Sequence, residues 1–155
     1  MAMLIHWPPQ WKLEDRNQPS GRQGICYILQ RMNQNPSSLY ERIGGEAMIA
    51  ALIPAFYDRV LADAELAPFF SHAPLDKLHA MQREFFAMAT GGPIQYTGRP
   101  LAHVHQGLGI KGHHFAKFAG HLLDTLKAMN TSEEEANEVI DHINVYVNEI
   151  TGASY

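Results

Sequence analysis

From Ser37 onward the apolar residues of this chain recur every three or four positions, and glycine pairs interrupt them twice, at Gly44-Gly45 and at Gly91-Gly92. A 3.6-residue period puts such positions on one face of an α-helix, whereas a half-buried strand needs strict alternation. No stretch alternates over a useful length. The chain is therefore expected to fold as helices that each bury one stripe against the others, an all-α architecture.

The starts and stops of those helices can be placed. Ser38-Leu-Tyr-Glu41 fits a capping box that opens a short helix, which the first glycine pair ends. The second helix carries Ile49, Leu52, Ile53, Phe56 and Val60 on one stripe. It also contains Pro54, which removes a backbone donor and predicts a kink. Residues 64–70 form a tight corner with Pro68 and the Phe69-Phe70 pair. The third helix runs from Leu75 to Ala89, with Leu75, Leu78, Phe85, Phe86 and Ala89 inward, and Gly91-Gly-Pro93 stops it. Residues 94–100 read as loop, and 101–108 as one short helix closed by Gly107 and Gly109. A fourth long helix over 111–128 puts Phe115, Phe118, Ala119, Leu122, Leu123 and Leu126 on one side. Ser132-Glu-Glu-Glu135 is a second capping box. Behind it a single last helix buries Ala136, Val139, Ile140, Ile143, Val147 and Ile150.

Composition excludes several classes. At 155 residues the chain is long enough for one domain with a real core. Residues 1–37 hold both tryptophans and few periodic positions, and read as an extension, partly helical over 25–32 or mobile; 38–155 is the helical domain. A formal net charge of −4 without a Lys/Arg cluster gives no footprint for nucleic acid. No run approaches a membrane span. Met1-Ala-Met-Leu-Ile-His-Trp-Pro-Pro9 lacks a basic n-region and a full apolar h-region, so no signal peptide is expected and the cytoplasm is the default compartment.

The chemistry concentrates on three residues. His105 stands in Arg99-Pro-Leu-Ala-His-Val-His-Gln-Gly-Leu-Gly-Ile110, a short segment between the Gly-Gly-Pro break and a long apolar helix. A neutral imidazole held there against an apolar pocket suits one axial position of a haem iron. Gln82 shares a helix face with Leu78, Phe85 and Phe86, and Tyr57 follows Phe56 on the preceding helix. A buried amide or phenol without a partner costs about 1–3 kcal/mol. Each therefore bonds either a nearby carbonyl or a polar ligand lying between the two helices. Periodicity alone does not choose His105 over His103, and His113, His114 and His121 crowd the same third of the chain. A zinc site is weak, because no His-Glu-x-x-His occurs and no cysteine is near. A di-iron bundle would need Glu-x-x-His on two helices, and none is present. The one cysteine, Cys26, rules out a disulfide framework and a Cys-x-x-Cys-His attachment, so any haem is expected to be held without thioether bonds.

In order along the chain stand Ser38-Leu-Tyr-Glu-Arg-Ile-Gly-Gly45, Phe56-Tyr-Asp-Arg-Val-Leu-Ala-Asp63, Phe69-Phe70 and Gln82-Arg-Glu-Phe-Phe86. Gly91-Gly-Pro93 with Tyr96-Thr-Gly98 follows, then Val104-His-Gln-Gly107 with Ile110, and His113-His-Phe115. With these stretches, residues 38–150 resemble group I of the truncated haemoglobins, the two-over-two helical globins. The resemblance implies a helical sandwich around a haem pocket, with one non-covalent haem b. It makes His105 the proximal iron ligand, and Tyr57, supported by Gln82, the donor to a bound diatomic gas. Phe70 would pack on the haem face. Leu78 would stand where vertebrate globins keep a distal histidine. Phe56, Phe86, Leu101, Val104, Ile110 and Phe115 would be pocket wall. Tyr96 would reach a propionate, with Arg99 and Lys77 as weaker candidates.

The function so implied is binding of O2, NO and CO at a pentacoordinate iron, for oxygen binding or transport or for NO detoxification. Two donors in a dry pocket favour retention of oxygen over rapid delivery. That suits oxidation of nitric oxide to nitrate. As an enzyme, a nitric oxide dioxygenase or peroxidase, the chain would depend on an external reductase. A haem-free helical interaction domain is the remote alternative.

Overall fold

A computed structural model describes residues 37–152, and all regular elements among them are helical. The expected extension, apart from Ser37, and the expected helix over 25–32 lie outside the described residues. In chain order the elements are α1 (Leu39–Arg42), α2 (Gly45–Ala62), a 3-10 turn (Ala67–Phe70), α3 (Leu75–Ala89), α4 (Leu101–His105), α5 (Gly112–Ala128), α6 (Glu133–Asn144) and α7 (Val147–Thr151). The central helix is α2, which packs on both α3 and α5; α5 in turn packs on α6, and α4 on α7. None of the described helices is long and apolar enough to cross a membrane.

The caps fall where the sequence puts them. The hydroxyl of Ser38 accepts the Glu41 N–H at 3.3 Å, and that of Ser132 accepts the Glu135 N–H at 3.3 Å. Gly44 ends α1 with φ of 116°, a left-handed conformation that side chains resist. Pro54 lies on the exposed face of α2, which is helical throughout from Gly45 to Ala62. The core of this helix is the expected stripe, with Ile49, Leu52, Ile53, Phe56 and Val60 all fully buried.

Three expectations are corrected. The last helix is two, because the chain turns at Val145 and Tyr146. Val145 is thrown outward, 75% exposed, while Tyr146 turns its ring onto Phe85 with centroids 5.1 Å apart. An uninterrupted apolar stripe hides such a turn, because the residues on both sides of it stay buried. Leu75 is 42% exposed at the first position of α3, where the helix has not yet reached the core. Finally, α4 stops at His105 rather than running to 108, since Gly107 and Gly109 both take positive φ.

The ends of α1, α3 and α6 are tied together. The Tyr40 N–H donates to the Thr90 carbonyl at 2.8 Å, and the His142 Nδ1–H donates to the Ala89 carbonyl at 2.6 Å. Gly92 is required beside them, because a Cβ there would lie 2.8 Å from the Ala87 carbonyl and 2.9 Å from the Tyr40 ring. This junction fixes where the loop over 94–100 departs, and so where α4 is delivered.

Candidate functional site

The helices leave a cleft of about 720 Å³, open to solvent at its mouth and lined largely by apolar side chains. From the sequence-derived set, Tyr57, Phe70, Leu78, Gln82, Leu101, His105, Ile110 and Phe115 line it.

His105 comes from the last position of α4. Its Nδ1 lies 2.7 Å from the Leu101 carbonyl, one helical turn back. A carbonyl only accepts, so Nδ1 carries the proton and Nε2 keeps its lone pair. Leu101 and His105, four residues apart, share one face of α4, and both line the cleft. His103, between them in sequence, is exposed. The structure thus separates two histidines that periodicity left equivalent.

Tyr57 is 1% exposed, from α2. Among the described residues no hydrogen bond involves its hydroxyl, and burial pushes its ionisation well above the usual tyrosine range. The phenol is therefore a neutral donor that lines the cleft with no hydrogen-bond partner among the described residues. Gln82 lies half-buried on α3 and also lines the cleft, and its amide makes no hydrogen bond among the described residues. Phe70, at the end of the 3-10 turn, stands edge-on to Tyr57 with centroids 5.5 Å apart.

Six of the sequence-derived residues lie off the cleft. Phe56 and Phe86 are completely buried one layer behind it, stacked edge-to-face with each other at 6.2 Å. Val104 is half-buried on α4 but off the lining face. Tyr96 packs on Phe85, and its hydroxyl donates to the Arg99 carbonyl at 3.1 Å, within its own loop. Arg99 and Lys77 are exposed.

Sequence reasoning missed other lining residues: Leu66, Phe69, Phe85, His114, Phe118, Ile143 and Ile150. Most of them did show as inward apolar positions. What was lacking was a signal that separates a cavity wall from a filled core.

The histidine cluster at the start of α5 also has a definite arrangement. Glu65, His113 and His114 bring ligand-type atoms within 4.8 Å of one another. However, the Lys117 ammonium holds Glu65 at 2.9 Å, and the Lys111 N–H donates to His114 Nδ1 at 3.0 Å. The two imidazole centroids lie 3.9 Å apart with their planes tilted by 49°. These groups stabilise the corner as they stand.

Among the described residues the cleft brings together the His105 imidazole, whose Nε2 makes no hydrogen bond, a neutral phenol and an amide, set in apolar walls. This donor set fits haem with an axial imidazole.

Comparison with known proteins agrees with that fit. The sequence matches the bacterial-like globin family over residues 38–151. It is 45% identical over 117 residues to a group 1 truncated haemoglobin of Mycolicibacterium paratuberculosis, covering 75% of this chain and 86% of that protein. A group 1 truncated haemoglobin of Tetrahymena pyriformis is 34% identical over 110 residues, 69% of this chain and 91% of that protein. Among solved structures, the Fe(III) truncated haemoglobin of Tetrahymena pyriformis superposes with a TM-score of 0.72 at 31% identity, over 74% of this chain and 97% of that one. The cyanomet 2/2 haemoglobin of Synechococcus sp. PCC 7002, with covalently attached haem, gives 0.71 at 30% identity, over 76% of this chain and all of that one. Family, relatives and architecture converge with the chemistry of the cleft: this chain belongs to the bacterial-like globins as a truncated haemoglobin of group 1, a family of haem-based gas binders.

Proposed function

We propose that this chain holds one haem b non-covalently through His105 Nε2 and uses Tyr57 and Gln82 to retain oxygen for the oxidation of nitric oxide. Haem supplies an iron position at which O2, NO and CO bind. Everything else is the work of the chain. The hydrogen bond from His105 to the Leu101 carbonyl fixes the tautomer, orients the ring and makes its free nitrogen more basic. Phe70, Leu78 and Phe115 keep the cleft apolar, so that a hydrogen bond to a bound gas is not exchanged for one to water. Tyr57 supplies that bond and Gln82 supports it.

The observation that carries this reading is the hydroxyl of the buried residue Tyr57, which makes no hydrogen bond among the described residues and lines the same cleft as His105, whose Nδ1–H is held by the Leu101 carbonyl. A phenol placed there for structural reasons would have satisfied itself on a carbonyl. A donor kept free retains oxygen, which favours chemistry over delivery. Nitric oxide, O2 and one electron together give nitrate, so continuous turnover requires an electron donor outside the chain, an external reductase. Measuring the oxygen dissociation rate beside nitrate formation from added NO tests the proposal. Slow release with rapid nitrate formation is expected. Rapid release without nitrate would make the chain an oxygen carrier, and no Soret band on adding haem would sink both.

A further inference from the structure

Among the described residues only one buried side-chain nitrogen or oxygen lacks any partner, and it is Nε2 of His79. An orphaned buried polar atom is costly enough to call for an explanation. His79 stands on α3 between Leu78 and Gln82, both of which line the cleft. Its side chain is half-buried although Nε2 is not accessible, so the ring reaches from the solvent edge of α3 inward. At its inner end it meets Tyr57: the two ring centroids are 5.3 Å apart, with the planes tilted by 42°. Two groups that can bond each other, neither of them partnered among the described residues, therefore sit on rings in contact.

We propose that His79 is a positioning residue for Tyr57, its Nε2–H donating to the phenolic oxygen, directly or through one buried water, once a gas is bound. The inference rests on Tyr57 being the donor to that gas. A phenol has one proton to give and an oxygen that can also accept. If the hydroxyl donated to His79, its proton would be lost to the gas. When His79 donates instead, the proton is aimed into the cleft, and the accepting bond polarises the O–H and strengthens it as a donor. A small rotation of the phenol, or a water at the junction, closes the gap between the two rings. Leu78, one residue earlier, cannot do this, since its side chain has no donor.

The test compares His79→Leu, His79→Gln and Tyr57→Phe in the haem-loaded protein, with a double variant. His79→Leu is expected to raise the oxygen dissociation rate roughly threefold to tenfold, the size of one ordinary hydrogen bond. His79→Gln, whose amide can still donate, is expected to restore most of the slow release. In the double variant His79→Leu should add little to Tyr57→Phe, because both remove one chain of bonds. A readout independent of gas release is the ¹⁵N shift of the His79 imidazole, which should report a donating Nε2–H in the wild type and lose that signature in Tyr57→Phe. If Tyr57→Phe slows or leaves unchanged the release of oxygen, the distal assignment itself fails. If Tyr57→Phe accelerates release while His79→Leu does not, or if the two effects simply add, only the role of His79 is overturned.

Discussion

The Nδ1–H of His105 points back at the Leu101 carbonyl 2.7 Å away, so the ring is already in the tautomer that a metal requires. Breaking one turn of α4 would lose it. Replacement of His105 by Ala should abolish stable haem binding, read as loss of the Soret band after gel filtration, while His103→Ala leaves it intact because His103 faces solvent. Added imidazole should partly restore the band in His105→Ala, since the cleft walls remain. Equal loss in both variants would mean that the ligand was misassigned.

Tyr57→Phe removes a donor without changing the shape of the wall. A hydrogen bond of about 1.4 kcal/mol corresponds to roughly a tenfold change in rate, and the dry setting of Tyr57 puts it at the upper end of the ordinary range. Stopped-flow oxygen dissociation should therefore accelerate about tenfold or more. Burial raises the ionisation of the phenol, which favours its neutral form, so the donor survives throughout the neutral and mildly alkaline range. The wild-type rate should show no transition attributable to Tyr57 below about pH 10.

Much of this fold can be read from the chain because its helices announce themselves. Ser38 and Ser132 cap, Gly44 and Gly91 stop, and the stripe of α2 is buried residue for residue. The turn at Val145 and Tyr146 is not legible, because a 3.6-residue stripe continues across it. In the site, His105 and Tyr57 stand out as polar groups among apolar ones. By contrast Phe56 and Phe85 look alike in sequence; both are inward aromatics, yet one is core and the other lines the cleft. Which of them meets empty space depends on where α4 and α7 are placed, and that is set by a glycine junction and a helix break rather than by hydrophobicity. By its 3.6-residue period α3 puts His79 one step off the inward stripe, yet its ring carries Nε2 into the interior.

Asp63 ties the corner after α2 to α5, accepting from His121 at 2.8 Å, from the Glu65 N–H at 2.9 Å and from Lys117 at 3.3 Å. The bond from His121, then those from Glu65 and Lys117, hold its carboxyl well below the usual carboxylate range. A depressed acid contributes stability above its unfolded value, about pH 3.9, and loses it as pH falls through the folded value below that. Asp63→Asn should thus lower the urea midpoint at pH 7. The gap between variant and wild type should narrow when both are measured near pH 3. A gap that stays constant would show that the carboxylate's charge is not what stabilises the corner.

The glycines of this chain divide into those that the fold needs and those that it tolerates, and two single substitutions separate them. Gly92→Ala drives a methyl group against the Ala87 carbonyl and the Tyr40 ring at the junction of α1 and α3, where backbone cannot easily retreat. Overpacking of this kind costs about 1–3 kcal/mol, enough to lower Tm by several degrees. Gly120→Ala, in the middle of α5, meets nothing within 4 Å. There the same change adds helix propensity and removes unfolded-state entropy, and should raise stability by about 0.4–1 kcal/mol. Calorimetry of the two haem-loaded variants should move Tm in opposite directions. A fall in both would mean that α5 packs against something at Gly120 that the described residues do not provide.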